Sequence, residues 1–148
     1  MSQEVGRIAH VLASLSVDEA AGAEAPVEVE HGEAVSAAEI RAMIRARRLR
    51  DQFFQPDFFA DPAWDMLLDL MAARADKQRV AVSSLCIAAA VPPTTALRWI
   101  KTLTDHGVFV RVNDPRDGRR VYIELSGRAA AGMAGYLSAV QRISPIAV

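Results

Sequence analysis

Cysteine is almost absent from this sequence, which has one, Cys86, in 148 residues. An intramolecular disulfide and a zinc site of clustered thiolates are therefore excluded, and we expect a protein of the reducing cytoplasm. The apolar neighbours of Cys86 predict a buried structural thiol. Although 51% of the residues are hydrophobic, no apolar run approaches the roughly 20 residues of a membrane-spanning helix, so we expect no membrane partner.

Recognisable catalytic patterns are missing as well. The three histidines are scattered along the chain, and no phosphate-cradling glycine-rich loop or metal-ligand spacing occurs. The N-terminus carries an early acidic residue and only a short apolar patch, without a convincing cleavage site, which predicts no export. We therefore expect a protein that is not an enzyme and that has neither a cofactor nor a metal site.

Charge is distributed unevenly along the chain. Residues 1–35 hold one arginine against seven acidic residues, and residues 36–148 hold sixteen lysines and arginines against eleven, so the two parts carry −6 and +5. Residues 16–35 also lack aromatic residues and any lasting helical or strand period. We predict an acidic, flexible or weakly packed arm at 1–35 and a basic domain at 36–148 that a polyanion would meet.

Two helices are predicted at the start of the basic domain. Ser36 and Glu39 form a capping-box pattern for a helix over residues 36–55, which Pro56 ends. Asp61 before Pro62 marks the start of a second helix, apolar on more than one face and therefore central to the core. We interpret the arginines of the first helix as a solvated face, with a phosphate or subunit contact as the alternative: Arg41, Arg45, Arg47, Arg48 and Arg50.

Aromatic residues cluster between and within these helices. Packing between helices is the favoured interpretation, and a ligand pocket is the alternative. The residues concerned are Phe53, Phe54, Phe58, Phe59 and Trp64.

The rest of the chain predicts a winged helix-turn-helix. Periodicity and turn residues indicate a strand at 79–82, a helix at 84–90 with Ser83 as its N-cap, a helix at 93–106 followed by Gly107, a hairpin of strands 108–112 and 120–125, and a last helix at 127–142 capped by Ser126. The fold class is thus mainly α with a small β-hairpin (α+β), flanked by N- and C-terminal helices.

The helix that begins at Pro93 is the candidate recognition helix. Ala96, Ile100 and Leu103 fit one buried face at i, i+4 and i+7. The outward residues are small, polar or cationic, as base-edge and phosphate contacts require, although an ordinary amphipathic helix is the alternative. The candidate DNA-binding residues on this helix are Thr94, Thr95, Arg98 and Lys101.

The hairpin turn is the candidate wing. It concentrates Arg116, Arg119 and Arg120, which suit a minor groove or phosphate, beside Asp114 and Asp117. We expect an aspartate to hold this loop by pairing with an arginine. A plain surface hairpin with salt-bridged charges is the alternative.

Two stretches resemble regulators of the MarR type. Residues 93–111, PTTALRWIKTLTDHGVFVR, resemble the recognition helix and first wing strand of that family. Residues 114–128, DPRDGRRVYIELSGR, resemble its wing and the start of its next helix. The match covers roughly residues 54–137.

The resemblance implies a transcriptional regulator that binds double-stranded DNA as a homodimer on a pseudo-palindromic operator. It places Thr94, Thr95, Arg98 and Lys101 in the major groove and Arg116 or Arg119 at the minor groove, with Asp114 positioning the wing. The family often responds to phenolic or other aromatic small-molecule effectors, but no residue here identifies such a site.

The sequence departs from the family pattern at three points. Ala90 replaces a glycine common at the helix turn, and Ile87 replaces a commonly polar residue, which predicts a local apolar surface. The chain ends too early for a full second C-terminal helix. A dimer would therefore depend on residues 36–56 and 126–148.

Two further hypotheses remain open. A winged helix that serves as a protein-interaction module without specific DNA binding is the alternative function, with Ile87 and Trp99 as the partner surface. The acidic arm either competes with DNA for the basic face or acts as a solubilising tail, which we favour.

Overall fold

The computed structural model describes residues 35–143, which belong to one compact unit. The predicted arm at 1–35 lies outside the described residues except for Val35. The helix α1, Ala37–Leu49, begins at Ser36, whose hydroxyl accepts the Glu39 N–H at 3.2 Å and donates to the Glu39 carboxylate at 3.2 Å. The predicted N-cap at Ser36 is therefore confirmed, and Glu39 accepts from the Ser36 hydroxyl rather than from its backbone N–H as a capping box requires.

The end of α1 differs from the sequence prediction. The helix stops at Leu49 and passes into one 3-10 turn, Arg50–Gln52, and Pro56 opens another, Pro56–Phe59. Asp61 then caps α2, Pro62–Ala75, by accepting the Trp64 N–H at 3.4 Å. The predicted start of the second helix is thus confirmed, whereas the first helix ends before the predicted Gln55.

The remaining elements form a winged helix-turn-helix. They follow in the order β1 (Val80–Ala81), α3 (Val82–Ala88), α4 (Pro93–Asp105), β2 (Phe109–Asn113), β3 (Val121–Leu125) and α5 (Gly127–Ile143). The strands form an antiparallel sheet in the order β1-β3-β2, with Arg111 opposite Ile123 in the hairpin. The predicted fold class, mainly α with a small β-hairpin, is confirmed by this arrangement.

One predicted cap is wrong. The first helix of the motif begins at Val82, two residues before the predicted start, so Ser83 lies inside it and Ala81 is its N-cap without a side-chain hydrogen bond. The reason is that β1 pairs with β3 only through Val80 and Ala81. The strand therefore ends one residue earlier than the run 79–82 predicted, and the helix begins at the next residue.

The core is centred on α2, as its apolar pattern predicts. Met66, Leu68 and Leu70 are at most 3% exposed. They meet apolar side chains of the other elements, since burying these surfaces together is the main stabilising term. The fully buried partners include Ile40, Leu85, Ile100, Phe109, Ile123 and Leu137. No helix in the described range is long and apolar enough to cross a membrane.

Cys86 and the phenylalanines differ from expectation. Cys86 is half-buried rather than buried, and burial raises the pKa of its thiol. Phe53, Phe54, Phe58 and Phe59 are 73%, 56%, 66% and 44% exposed, so packing between helices is wrong for them within this unit. Three of them contact one another instead: the Phe59 ring centroid lies 5.5 Å from that of Phe54 and 6.4 Å from that of Phe58.

Candidate nucleic-acid interface

The α4 helix is fixed in the domain by its apolar face and by its C-terminal turn. Ala96, Ile100 and Leu103 are buried, as predicted. Beyond Asp105 the chain turns through Gly107 at φ 74°, a left-handed conformation that glycine adopts without strain. The Val108 N–H donates to the Leu103 carbonyl at 2.9 Å, which closes the helix end and leads directly into β2.

The opposite face of α4 carries the predicted recognition residues. Thr94, Arg98 and Lys101 are exposed, and Thr95 is half-buried. The Lys101 ammonium donates to the Asp105 carboxylate at 2.7 Å, and this hydrogen bond is the largest cause of the lowered pKa of Asp105. Lys101 therefore shares its charge with a neighbour one turn away, whereas Arg98 has no carboxylate within 4.0 Å among residues 35–143.

The turn before α4 is unusual in its backbone. Ala90 has φ 56°, and its N–H donates to the Ile87 carbonyl at 3.1 Å. A non-glycine residue in this region costs about 1–2 kcal/mol, which explains why a glycine is the common choice there. Beside the turn Ile87 is 81% exposed, so the predicted local apolar surface is present, and Leu97 of α4 is 50% exposed.

The wing is shaped by aspartates that accept backbone and hydroxyl hydrogens. Asp114 accepts the Arg116 N–H at 2.8 Å and the Tyr122 hydroxyl at 3.2 Å, and Asp117 accepts the Arg119 N–H at 3.1 Å. The Arg116 N–H is the largest cause of the lowered pKa of Asp114. The expectation that an aspartate holds the loop by pairing with an arginine side chain is wrong, because among the described residues no wing arginine has a carboxylate oxygen within 4.0 Å.

The wing arginines therefore remain available to a partner. Arg116, Arg119 and Arg120 are all exposed. Arg120 has a side-chain hydrogen bond with Tyr122, which is the largest cause of its raised pKa. The alternative of a hairpin with salt-bridged charges is disfavoured by the same absence of ion pairs in the described wing.

The arginines of α1 have a different environment, which the sequence did not indicate. Asp65 of α2 is 4% exposed, and its two carboxylate oxygens accept the Arg47 Nε and the Arg48 Nη2, each at 2.6 Å. Arg41 pairs with Asp76 at 3.0 Å. The interpretation of a solvated arginine face is therefore wrong for Arg47, whose side chain is 10% exposed.

A carboxylate flanked by apolar residues within α2 is the signal that could have identified this pairing. Asp65 lies between Ala63 and Met66, which are both buried. A charge buried at such a position needs a cationic partner, and the arginine-rich helix before it offers several. For metals, no group of three or more His, Cys, Asp and Glu side chains within residues 35–143 is arranged to hold an ion.

Comparison with known proteins gives structural similarities but no sequence match. No family model matches the chain, and no curated protein matches it. Among solved structures, MepR from S. aureus in its DNA-binding conformation aligns with a TM-score of 0.49 and 16% identity over 74% of this chain and 80% of that chain.

Two other solved structures show similar values. The transcriptional regulator PA4135 aligns with a TM-score of 0.45 and 20% identity over 69% of this chain and 78% of that chain. BpsR from Bordetella bronchiseptica, whose DNA binding is regulated by 6-hydroxynicotinic acid, gives 0.43 and 19% over 70% and 75%. Similarity at this level does not assign a function, which has to come from this chain's own geometry.

Proposed function

We propose that this protein is a sequence-specific, double-stranded-DNA-binding transcriptional regulator. In this proposal α4 enters the major groove and the wing lies at the minor groove. The observation that carries it is the set of exposed arginines without carboxylate partners in the described residues, Arg98 on α4 and Arg116 and Arg119 on the wing. An exposed guanidinium that forms no internal ion pair is available for phosphate or base-edge contacts.

Within α4 the roles divide by availability. Arg98 is the candidate for a bidentate contact to guanine, which discriminates between bases by roughly 1–3 kcal/mol. Thr94 and Thr95 lie in the first turn, where unpaired backbone N–H groups and hydroxyls suit phosphates or bases. Lys101, because it already pairs with Asp105, is assigned a positioning contact to phosphate.

The wing supplies the second contact. Arg116 and Arg119 are assigned to the minor groove and its phosphates, with Arg120 beside them. The two hydrogen bonds that Asp114 accepts support the proposed wing-positioning role, because they link the loop to Tyr122 on β3. Asp114 would thus limit the conformations from which the arginines approach DNA.

A homodimer is part of the proposal. The segments expected to carry it, 36–56 and 126–148, contain apolar residues with large exposed fractions. The exposed apolar residues of these segments are Leu49, Phe53, Phe54, Tyr136 and Ile143. A dimer contact would bury them, and monomeric proteins rarely leave apolar residues exposed in large contiguous patches.

Selection from a pool of random duplexes tests the proposal. We expect a recovered motif with two symmetric half-sites, and binding to it that weakens steeply with added salt through counterion release. The control is a scrambled duplex of the same composition. A failure to enrich any sequence, with no duplex binding at low salt, would reject the DNA-binding function.

One observation favours a second function, a protein-interaction module. Ile87 and Leu97 are 81% and 50% exposed on the two helices of the motif. A partner bound through these apolar side chains would resist added salt, in contrast to DNA. If the wild type forms a salt-resistant complex with a protein partner, and Ile87→Ser loses that complex but binds duplex DNA as before, the second role is identified.

A further inference from the structure

A basic groove lies beside the wing and outside the recognition helix. Its volume is about 1010 Å³, and it is bounded by the turn that follows α2, by β1, by the first turn of α3 and by the hairpin. Five cations and one carboxylate line it, Lys77, Arg79, Arg111, Arg119, Arg120 and Asp117. All five cationic residues are exposed.

The cations of this groove form no close ion pair within the described unit. None of its five cations has a carboxylate within 4.0 Å in residues 35–143. Asp117, its only carboxylate, accepts the backbone N–H of Arg119 at 3.1 Å. Cations that lie near one another without close counter-charges repel one another, so each of them would attract and stabilise an anion bound in the groove.

Two of the groove cations are set in defined positions by the fold. The Arg79 guanidinium lies over the Tyr122 ring, 5.4 Å from its centroid, and the Tyr122 hydroxyl donates to Asp114. Lys77 occupies the left-handed turn after α2 at φ 56°, where the Gln78 N–H donates to the Ala73 carbonyl at 2.8 Å. The groove wall is therefore organised before any ligand binds.

We propose that this groove binds the sugar–phosphate backbone of DNA next to the wing contact, with Lys77, Arg79 and Arg111 as phosphate-binding residues. The proposal rests on the DNA-binding function above, because Arg119 and Arg120 belong to both the groove and the wing. A duplex held at the wing then passes the groove, whose cations are spread over the segment between α2 and β1, strand β2 and the hairpin turn. Ser83 and Ser84 add hydroxyl donors at the rim.

Variants of the groove cations test this inference by the salt dependence of binding. For Lys77→Gly, Arg79→Ala and Arg111→Ala, we expect weaker binding to selected and scrambled duplexes alike. The slope of log K against log salt should fall by about 0.9 for each phosphate that the variant no longer neutralises. Arg74→Ala, which removes an exposed arginine of α2 that neither lines the groove nor lies in the segments proposed for the dimer, is the matched control and should leave the slope unchanged.

Lys77→Gly distinguishes removal of a phosphate-binding cation from damage to the fold. Glycine relieves the left-handed conformation at this position, so the variant removes the cation without adding backbone strain. Weakened DNA binding by a variant at least as stable as the wild type supports the groove assignment.

The outcomes distinguish the groove from the wider function. Wild-type duplex binding with unchanged slopes in all three variants would overturn the groove alone. A second outcome is that the wild type binds inorganic phosphate or tripolyphosphate, and that Lys77→Gly and Arg79→Ala abolish this binding but leave duplex binding unchanged. That outcome would overturn the assignment of the groove to the DNA backbone and identify it as a small-anion site. Absence of duplex binding by the wild type would overturn the DNA-binding function and this inference with it.

Discussion

Arginines in two regions of this molecule have opposite environments. At the α1–α2 contact, Arg47 and Arg48 each meet a carboxylate oxygen of buried Asp65 at 2.6 Å. On α4 and the wing, Arg98 and Arg116 are exposed and have no carboxylate within 4.0 Å in the described residues. The same residue type therefore stabilises a helix pair in one region and is available to a ligand in the other.

The difference shows that charge counts alone do not locate a binding face. The basic domain carries +5 over residues 36–148, yet part of its arginine content is neutralised internally. The wing of the candidate interface differs because its aspartates accept backbone N–H groups and do not pair with the side chains of the neighbouring arginines. Asp114 and Asp117 both do so on the wing.

The largest effect is expected from breaking the buried pair. Asp65→Asn keeps the size of the side chain but leaves the Arg47 guanidinium, 10% exposed, with only the more distant and more exposed carboxylate of Asp61, at 4.0 Å. We expect a loss of about 3–5 kcal/mol in the free energy of unfolding, measured by urea denaturation.

Asp76→Asn is the control for that loss. Arg41 and Asp76 form an ion pair whose side chains are each 42% exposed. Because solvent screens such a pair, its removal should cost about 0–1 kcal/mol. Equal losses in the two variants would show that burial of Asp65 does not set the strength of the α1–α2 contact.

A smaller, opposite effect is expected in the turn before α4. Ala90→Gly relieves the φ of 56° at the helix turn, and after the entropy that glycine loses on folding the net gain should be about 0.5–1 kcal/mol. Thermal and urea unfolding measure it. Ala89→Gly, where φ is −65°, is the control and should be destabilised; a loss in both would rule out strain at Ala90.

The smallest effect concerns pH and the wing. The pKa of Asp114 is lowered chiefly by the Arg116 N–H, so its contribution to folding is present above the ordinary carboxyl value near 3.9 and is lost as pH falls through the lowered value. In an NMR titration the Arg116 amide should shift with a midpoint below 3.9. Asp114→Asn should abolish that shift, and a midpoint above 3.9 would contradict the assignment.

Local signals in the sequence predicted much of the fold. The caps at Ser36 and Asp61 were correct because each depends on a hydrogen bond within three residues. The buried face of α4 was correct because a 3.6-residue period reports burial directly. Ser83 failed as a cap because the length of β1 depends on pairing with β3, about 40 residues away.

Tertiary pairing limited prediction of the site. Arg98 was singled out from helix geometry alone, but whether Lys101 or a wing arginine is paired depends on side-chain positions. The arginines that contact Asp65 are 17 and 18 residues away from it. The groove residues Lys77, Arg79 and Arg111 were missed because they come from two distant parts of the chain, the segment before β1 and strand β2, that only the folded sheet brings together.

The most direct test of the account compares Arg98→Ala with Arg74→Ala, two exposed arginines, on the selected duplex and on a scrambled one. If the unpaired arginine on α4 reads DNA, Arg98→Ala should weaken binding to the selected duplex by about 5- to 150-fold and to the scrambled duplex far less. Arg74→Ala should change neither affinity. Equal losses for the two variants, or equal losses of Arg98→Ala on both duplexes, would contradict base recognition by this face.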